Sequence, residues 1–168
     1  RRYGAPFGRT LDSAFRVSHS SFMIHKLSQS PESSRVSKLK ALSVIGIPYT
    51  VGWKGEGIDE GPSALRRAGL LKELQQIAEE VVDLGNIVVD LPPRDDTNPK
   101  LLNPDQVVAV CMAAVPPVRD ACRRGCLPVI LGSEDSVIMG IIEGFRQGLN
   151  EPVGLIYLDA HGDFNTPE

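Results

Sequence analysis

Apolar positions along the chain fall into short runs that alternate with longer segments of near-helical spacing. "LSVIGIPY", residues 42–49, is rich in β-branched residues and closes on Gly46 and Pro48, which predicts a strand. Residues 50–81 begin as a glycine-rich loop and then turn helical. Pro62 sits early, where its missing N–H costs nothing, and Asp59 and Glu60 lie at the positive end of the dipole. Leu65, Leu70, Leu71, Leu74 and Ile77 then recur at near-helical spacing, with Gly69 placed to divide the helix in two. "VVDLGNIVVD", residues 81–90, predicts a second strand, and a proline-dense loop follows it. Asn103 as N-cap and Pro104 as first helical residue open a helix that runs to about Arg124 and stops at Gly125. Pro116 and Pro117 are expected to kink or interrupt it. "CLPVILG" predicts a third strand, residues 136–149 a helix, and "VGLIYLDA", residues 153–160, a fourth strand.

Strands that are apolar on both faces and alternate with helices predict a mainly parallel sheet covered on both sides, an α/β fold without internal repeat. The 168 residues and 42% apolar content suit one domain with an ordinary core. No apolar run approaches the length of a membrane span, so no membrane partner is expected. Cys111, Cys122 and Cys126 make an odd set with no C-x-x-C pair, which reads as reduced thiols rather than a disulfide framework or zinc site.

Charge changes the picture at the amino-terminal end. Residues 1–40 carry eight Lys and Arg against two acids, net +6, whereas the rest carries ten against nineteen, net −9. The first segment is also serine-rich and lacks a sustained apolar period. Residues 1–40 are therefore read as a disordered or non-native tail, or as an organellar targeting segment, and residues 41–168 as the folded α/β portion. The expected location is cytoplasmic, or mitochondrial under the targeting reading.

The chemistry gathers at strand tips. Asp159, His161 and Asp163 stand two residues apart at the end of the fourth predicted strand, where extended backbone aims alternate side chains to one side at intervals of about 6–7 Å. The third predicted strand also ends in acids, Glu134 and Asp135, and the 24 residues from Asp135 to Asp159 suffice for one helical crossover that sets the two tips side by side. Open α/β sheets bind ligands at such carboxyl ends. Carboxylates so close raise one another's pKa unless a cation joins them, and oxygen donors with one imidazole favour Mn²⁺ or Mg²⁺ before Zn²⁺. The bland alternative is a set of acids that cap helices or end strands, with His161 a hydrogen-bonded loop residue.

These segments resemble the ureohydrolase family, the arginase and agmatinase group of manganese hydrolases. "DAHGDFNTPE" resembles the family's D-A-H-x-D segment, "LGSEDS" aligns with its G-G-D-H-S segment, and "GIDEGPSALRRAGLL" is similar to the helix start after its first strand. The likeness covers Leu42 to Glu168 and corresponds to the amino-terminal half of the family's domain. It implies a three-layer α/β/α sandwich, here truncated. It implies two Mn²⁺ ions, with Asp159 bridging them, Asp163 joining it on one, and His161 on the other. Asp135 stands where the family has a metal-binding histidine, Glu134 is the preceding acid, and Ser133 replaces a glycine. Asn165 resembles a position that helps hold the substrate's α-carboxylate. The implied reaction is hydrolysis of a guanidino compound with release of urea, L-arginine or agmatine being the expected substrates, in a trimer or hexamer. The family's later D-x-D carboxylates and its proton-shuttling histidine fall beyond Glu168, so no catalytic shuttle is assigned within the chain.

Two rivals stand beside this expectation. Asp135 and the missing carboxylates also fit a truncated or degenerate relative that is a non-catalytic metal-binding or interaction module. Gly55, Gly57 and Gly61 follow the first strand at G-x-G-x-x-x-G, one residue off the dinucleotide fingerprint, and Glu56, Asp59 and Glu60 would crowd a pyrophosphate. Nucleic acid is not an expected partner, since the body behind the basic tail is acidic.

Overall fold

A computed structural model of the chain describes residues 38–52, 57–95, 97–98 and 100–160. The expected tail therefore lies outside the described residues except for its last three, of which Leu39 and Lys40 already belong to the first strand, β1 (Leu39–Gly46). After β1 come a 3₁₀ turn (Ile58–Glu60), α1 (Gly61–Arg67), α2 (Leu70–Ile77) and β2 (Ala78–Asn86). Next follow α3 (Pro104–Arg123), β3 (Leu127–Leu131), a 3₁₀ turn (Asp135–Val137) and α4 (Ile138–Leu149).

The three strands form a parallel sheet in the order β2-β1-β3. Central β1 is covered from Leu42 onward: Leu42, Val44 and Ile45, and Ile47 just past its end, are each at most 1% exposed. Its alternate side chains face different layers. Ile45 packs with Val118 and Cys122 of α3, and Ile47 with Val110 and Ala114 of α3 and with Val137. On the opposite face, a side chain at Gly46 would run into Asn86 and the guanidinium of Arg66 from α1. Helices thus cover both faces, as the strand and helix alternation predicts, which makes the three-layer α/β/α sandwich that the family resemblance implies.

Arg66 fastens α1 to the end of β2. Its Nε and Nη2 donate to the two Asp83 carboxylate oxygens at 2.8 Å each, Nη1 donates to Asn86 Oδ1 at 2.6 Å, and Nη2 also donates to the Gly85 carbonyl at 3.0 Å. The Arg66 hydrogen bonds, helped by one from Gly85 N–H to Oδ1 at 2.9 Å, hold the Asp83 carboxyl below its usual range. The register slips here, because Val44 pairs with Asp83 and Gly46 with Asn86, leaving an extra residue on β2. Gly85 takes a positive φ of 75° to make that bulge.

Several expected elements differ. Gly69 divides the helix as anticipated, with φ 97° at the break. β2 begins three residues earlier than expected and ends at Asn86, because pairing of Ala78 and Glu80 with Leu39 and Ala41 overrides the helical preference of that stretch. It is also an edge strand with Glu79, Glu80 and Asp83 exposed to solvent or its rim, not apolar on both faces. α3 runs unbroken through Pro116 and Pro117. The carbonyls deprived of partners are those of Met112 and Ala113; Met112 and Pro116 are exposed, so that side of the helix is open to water. Asn103 precedes α3 but makes no side-chain cap. It is 1% exposed and bridges two loops, accepting from Asp95 N–H at 2.8 Å and donating to the Val51 carbonyl at 2.7 Å. The expected fourth strand does not form among the described residues: 152–159 carries no ladder, and Ile156 and Leu158 are 88% and 93% exposed. An apolar run becomes a strand only where a neighbour takes up its N–H and C=O groups, and among the described residues β3 is an edge of the sheet.

All three cysteines are free thiols, Cys111 and Cys122 buried, as the sequence predicts. Burial pushes the Cys122 thiol up. Among the described residues no helix is long and apolar enough to cross a membrane.

Candidate metal centre

The connection leaving β1 heads toward β2, away from β3, so a crevice opens beyond the carboxyl ends of β1 and β3, where open α/β sheets hold their ligands. A cavity of about 320 Å³ lies there, lined by Gly52, Ile58, Ser133, Glu134, Asp135 and Ser136. Hydrogen bonds across the sheet end fix its walls. Ile47 N–H donates to the Leu131 carbonyl at 2.8 Å and Ser133 Oγ to the Ile47 carbonyl at 3.0 Å, extending the pairing past the strand ends.

The two adjacent acids take different roles. Glu134 receives Gly52 N–H on both carboxylate oxygens, at 3.0 and 3.1 Å, and the Ser136 hydroxyl at 2.5 Å. It clamps the loop after β1 onto the tip of β3, and is engaged rather than offered to a ligand. Asp135 is exposed and opens the 3₁₀ turn, its carbonyl accepting from Ile138 N–H, and its carboxylate makes no hydrogen bond or ion pair among the described residues. It lines both the first cavity and a second of about 230 Å³, walled by Ile130, Ile138, Ile141 and Tyr157 among others.

Tyr157 was not singled out from the sequence, although the period of two that picks out Asp159, His161 and Asp163 reaches it when run backward. Its place beside Asp135 brings the 155–159 segment to the tip of β3 without strand pairing. Asp159 is described and exposed; His161, Asp163 and Asn165 lie outside the described residues. Among the described residues no three His, Cys, Asp or Glu side chains come close enough to hold a metal ion. The structure therefore places Asp135 at the crevice and Tyr157, two residues before Asp159, against the same cavity. Two of the five expected ligands, His161 and Asp163, lie outside the described residues, and of the other three Glu134 is already engaged by Gly52 and Ser136.

Comparison with known proteins decides the family. The Arginase family model matches residues 40–168. The chain belongs to the arginase family. The arginase of Staphylococcus aureus strain MSSA476 is 34% identical over 136 residues, which are 79% of this chain and 45% of that protein. Mouse arginase-1 is 34% identical over 131 residues, 78% of this chain and 40% of its own length. Among solved structures, the native Bacillus caldovelox arginase at pH 5.6 superposes with a TM-score of 0.65 at 33% identity, covering 76% of this chain and 43% of that one. Entamoeba histolytica arginase in complex with L-ornithine gives 0.64 at 27% identity, covering 77% and 45%. The chain thus spans a little under half the length of the arginases it matches and corresponds to their amino-terminal half.

Proposed function

We propose that this chain forms the amino-terminal half of a manganese-dependent hydrolase of a guanidino compound, arginase-like on L-arginine or agmatinase-like on agmatine. The observation that carries the reading is an arginase-family sheet whose switch-point crevice presents an uncommitted carboxylate, Asp135, next to the segment leading into Asp159. Hard oxygen donors of this kind suit a divalent cation such as Mn²⁺, and Asp135 has no competing partner among the described residues. Asp135, Asp159, His161 and Asp163 would hold the ions, and Asn165 would receive the carboxylate of the substrate. When bound, the ions would supply Lewis acidity and make water acidic near neutral pH.

The chain's own groups do the positioning. Glu134 keeps Gly52 and Ser136 fixed around the cavity, so that Asp135 is presented from a rigid turn. Ser133 locks that turn to the end of β1. The trimer or hexamer belongs to the same proposal.

Urea release from L-arginine and agmatine by the full-length protein, with and without added Mn²⁺, tests it. Expected are Mn²⁺-dependent release and loss of that release in Asp159→Asn with the fold retained by circular dichroism. The second reading, a non-catalytic family member, is favoured by Asp135 standing in place of a histidine. It is the outcome if Mn²⁺ binds and no guanidino compound yields urea.

A further inference from the structure

The geometry points to a second small-molecule site, shaped for a free α-amino acid in its zwitterionic form, in a cavity of about 670 Å³ between the Ile58–Glu60 turn and the loop that follows β2. It shares no lining residue with the two cavities at Asp135. Its size lies in the usual range for small-molecule sites.

The walls are tied across long stretches of chain. Tyr49 Oη accepts Val89 N–H at 2.7 Å, joining the loops that leave β1 and β2. Gln106, only 6% exposed, donates through Nε2 to the Pro92 carbonyl at 2.7 Å, and Asn103 ties Val51 to the same loop. A surface dimple in a mobile loop would not be braced in this way. Thr50 Oγ1, on the same wall, is buried without a partner among the described residues. Buried polar atoms without partners are uncommon and mark places where a ligand can complete the bonding.

Charge then selects the ligand. Asp59 and Glu60 come from the 3₁₀ turn and Arg94 from the loop after β2, so different elements bring opposite charges to one cavity. Among the described residues Arg94 and Asp59 form no ion pair, and Glu60 reaches only Arg67, at 3.9 Å with both side chains exposed. A simple anion would meet two carboxylates and a simple cation would meet the guanidinium. A molecule that carries an ammonium and a carboxylate together satisfies both, and the Tyr49 and Leu91 walls offer apolar surface to its side chain.

The test is titration calorimetry of the 168-residue chain with L-leucine in the presence of a chelator, which keeps the metal centre out of the result. N-acetyl-L-leucine lacks the ammonium and L-leucinamide lacks the carboxylate. L-leucine should bind saturably and at least about tenfold more tightly than either analogue. Arg94→Gln should abolish the preference over L-leucinamide, and the Asp59→Asn, Glu60→Gln double variant the preference over N-acetyl-L-leucine. These are exposed positions, and matched loss of one preference with the other retained cannot come from unfolding. No saturable binding of L-leucine, equal binding of all three ligands, or preferences unchanged in the variants would overturn the proposal.

Discussion

Replacing Gly140 by alanine sets two effects of opposite sign against each other. In a helix interior, alanine is favoured over glycine by about 1 kcal/mol. Here, however, Gly140, Gly144 and Gly148 recur every fourth residue along α4 where it packs on α3. A methyl group at Gly140 would stand 2.7 Å from the carbonyl carbon and α-carbon of Cys111, and closer still to its oxygen, where real contacts of this kind essentially never fall under 3.0 Å. Those atoms are backbone, so no rotamer change relieves the clash and the helices must part. Overpacking of a core costs about 1–3 kcal/mol, with the upper end expected against backbone. After the propensity gain, Gly140→Ala should destabilise by about 1–2 kcal/mol, a fall in melting temperature on the order of 2–8 °C for a chain of this size. Gly144→Ala should lose less, since its nearest obstacle, Val118 Cβ at 2.7 Å, stands farther off than the Cys111 oxygen does from Gly140. The displacement should also reach the candidate centre, because Cys111 Sγ contacts the Ser136 carbonyl at 3.4 Å, one residue after Asp135. Urea titration and thermal melting measure both variants against the parent. A Gly140→Ala protein that melts at or above the parent would refute the close approach of α3 and α4.

Three further outcomes follow from the side-chain network. Asn103→Asp would serve as well as asparagine at a helix N-cap, but here it replaces the donor to Val51 with a second acceptor; a loss of about 1–3 kcal/mol by urea denaturation is expected, and parent-like stability would restore the capping role. Glu134→Ala should cost about 1.5–3 kcal/mol, the usual worth of hydrogen bonds to a charged group, and should speed amide exchange at Gly52; unchanged exchange would remove the clamp. Asp83 has a carboxyl pKa lowered from 3.8, mainly by the hydrogen bond from Arg66, so its contribution is complete above that value and disappears as pH falls through the lowered pKa. Asp83→Asn should flatten the fall in stability between about pH 5 and pH 2, and an unaltered acid limb in the denaturation midpoints would contradict the pairing.

Local pattern carried most of the architecture. β-branched runs closed by glycine or proline gave the three strands that pair, and the break at Gly69 and stop at Gly125 follow from backbone conformations that glycine adopts cheaply. What pattern could not show was settled by partners distant in sequence. Ala78–Val81 looks helical in isolation and becomes strand because β1 lies beside it. Residues 153–160 look like a buried strand in isolation and stay exposed because no ladder takes up their backbone groups. Asn103 has the chemistry of a cap, yet its position under two loops diverts its amide to them. At the candidate centre, Asp135 lines the cavity just past the tip of β3, while the pattern of the sequence could not tell which of the two neighbouring acids would be spent on structure.

That division between Glu134 and Asp135 follows from reach and surroundings. Glu134 precedes the 3₁₀ turn in extended backbone, at φ −152° and ψ 163°. Its carboxylate spans to the Gly52 amide on the loop after β1. Once both Glu134 oxygens accept from Gly52 and one also from Ser136, its charge is offset by donors already in place, and a cation gains little from displacing them. Asp135, one residue on, starts the turn and faces open space shared by two cavities. Its charge has no such compensation among the described residues. Two like charges next to each other in sequence are tolerable at one crevice because the fold offsets one with internal hydrogen bonds and leaves the other exposed to water. A sequence that needed both for metal would have had to supply Gly52 with another acceptor.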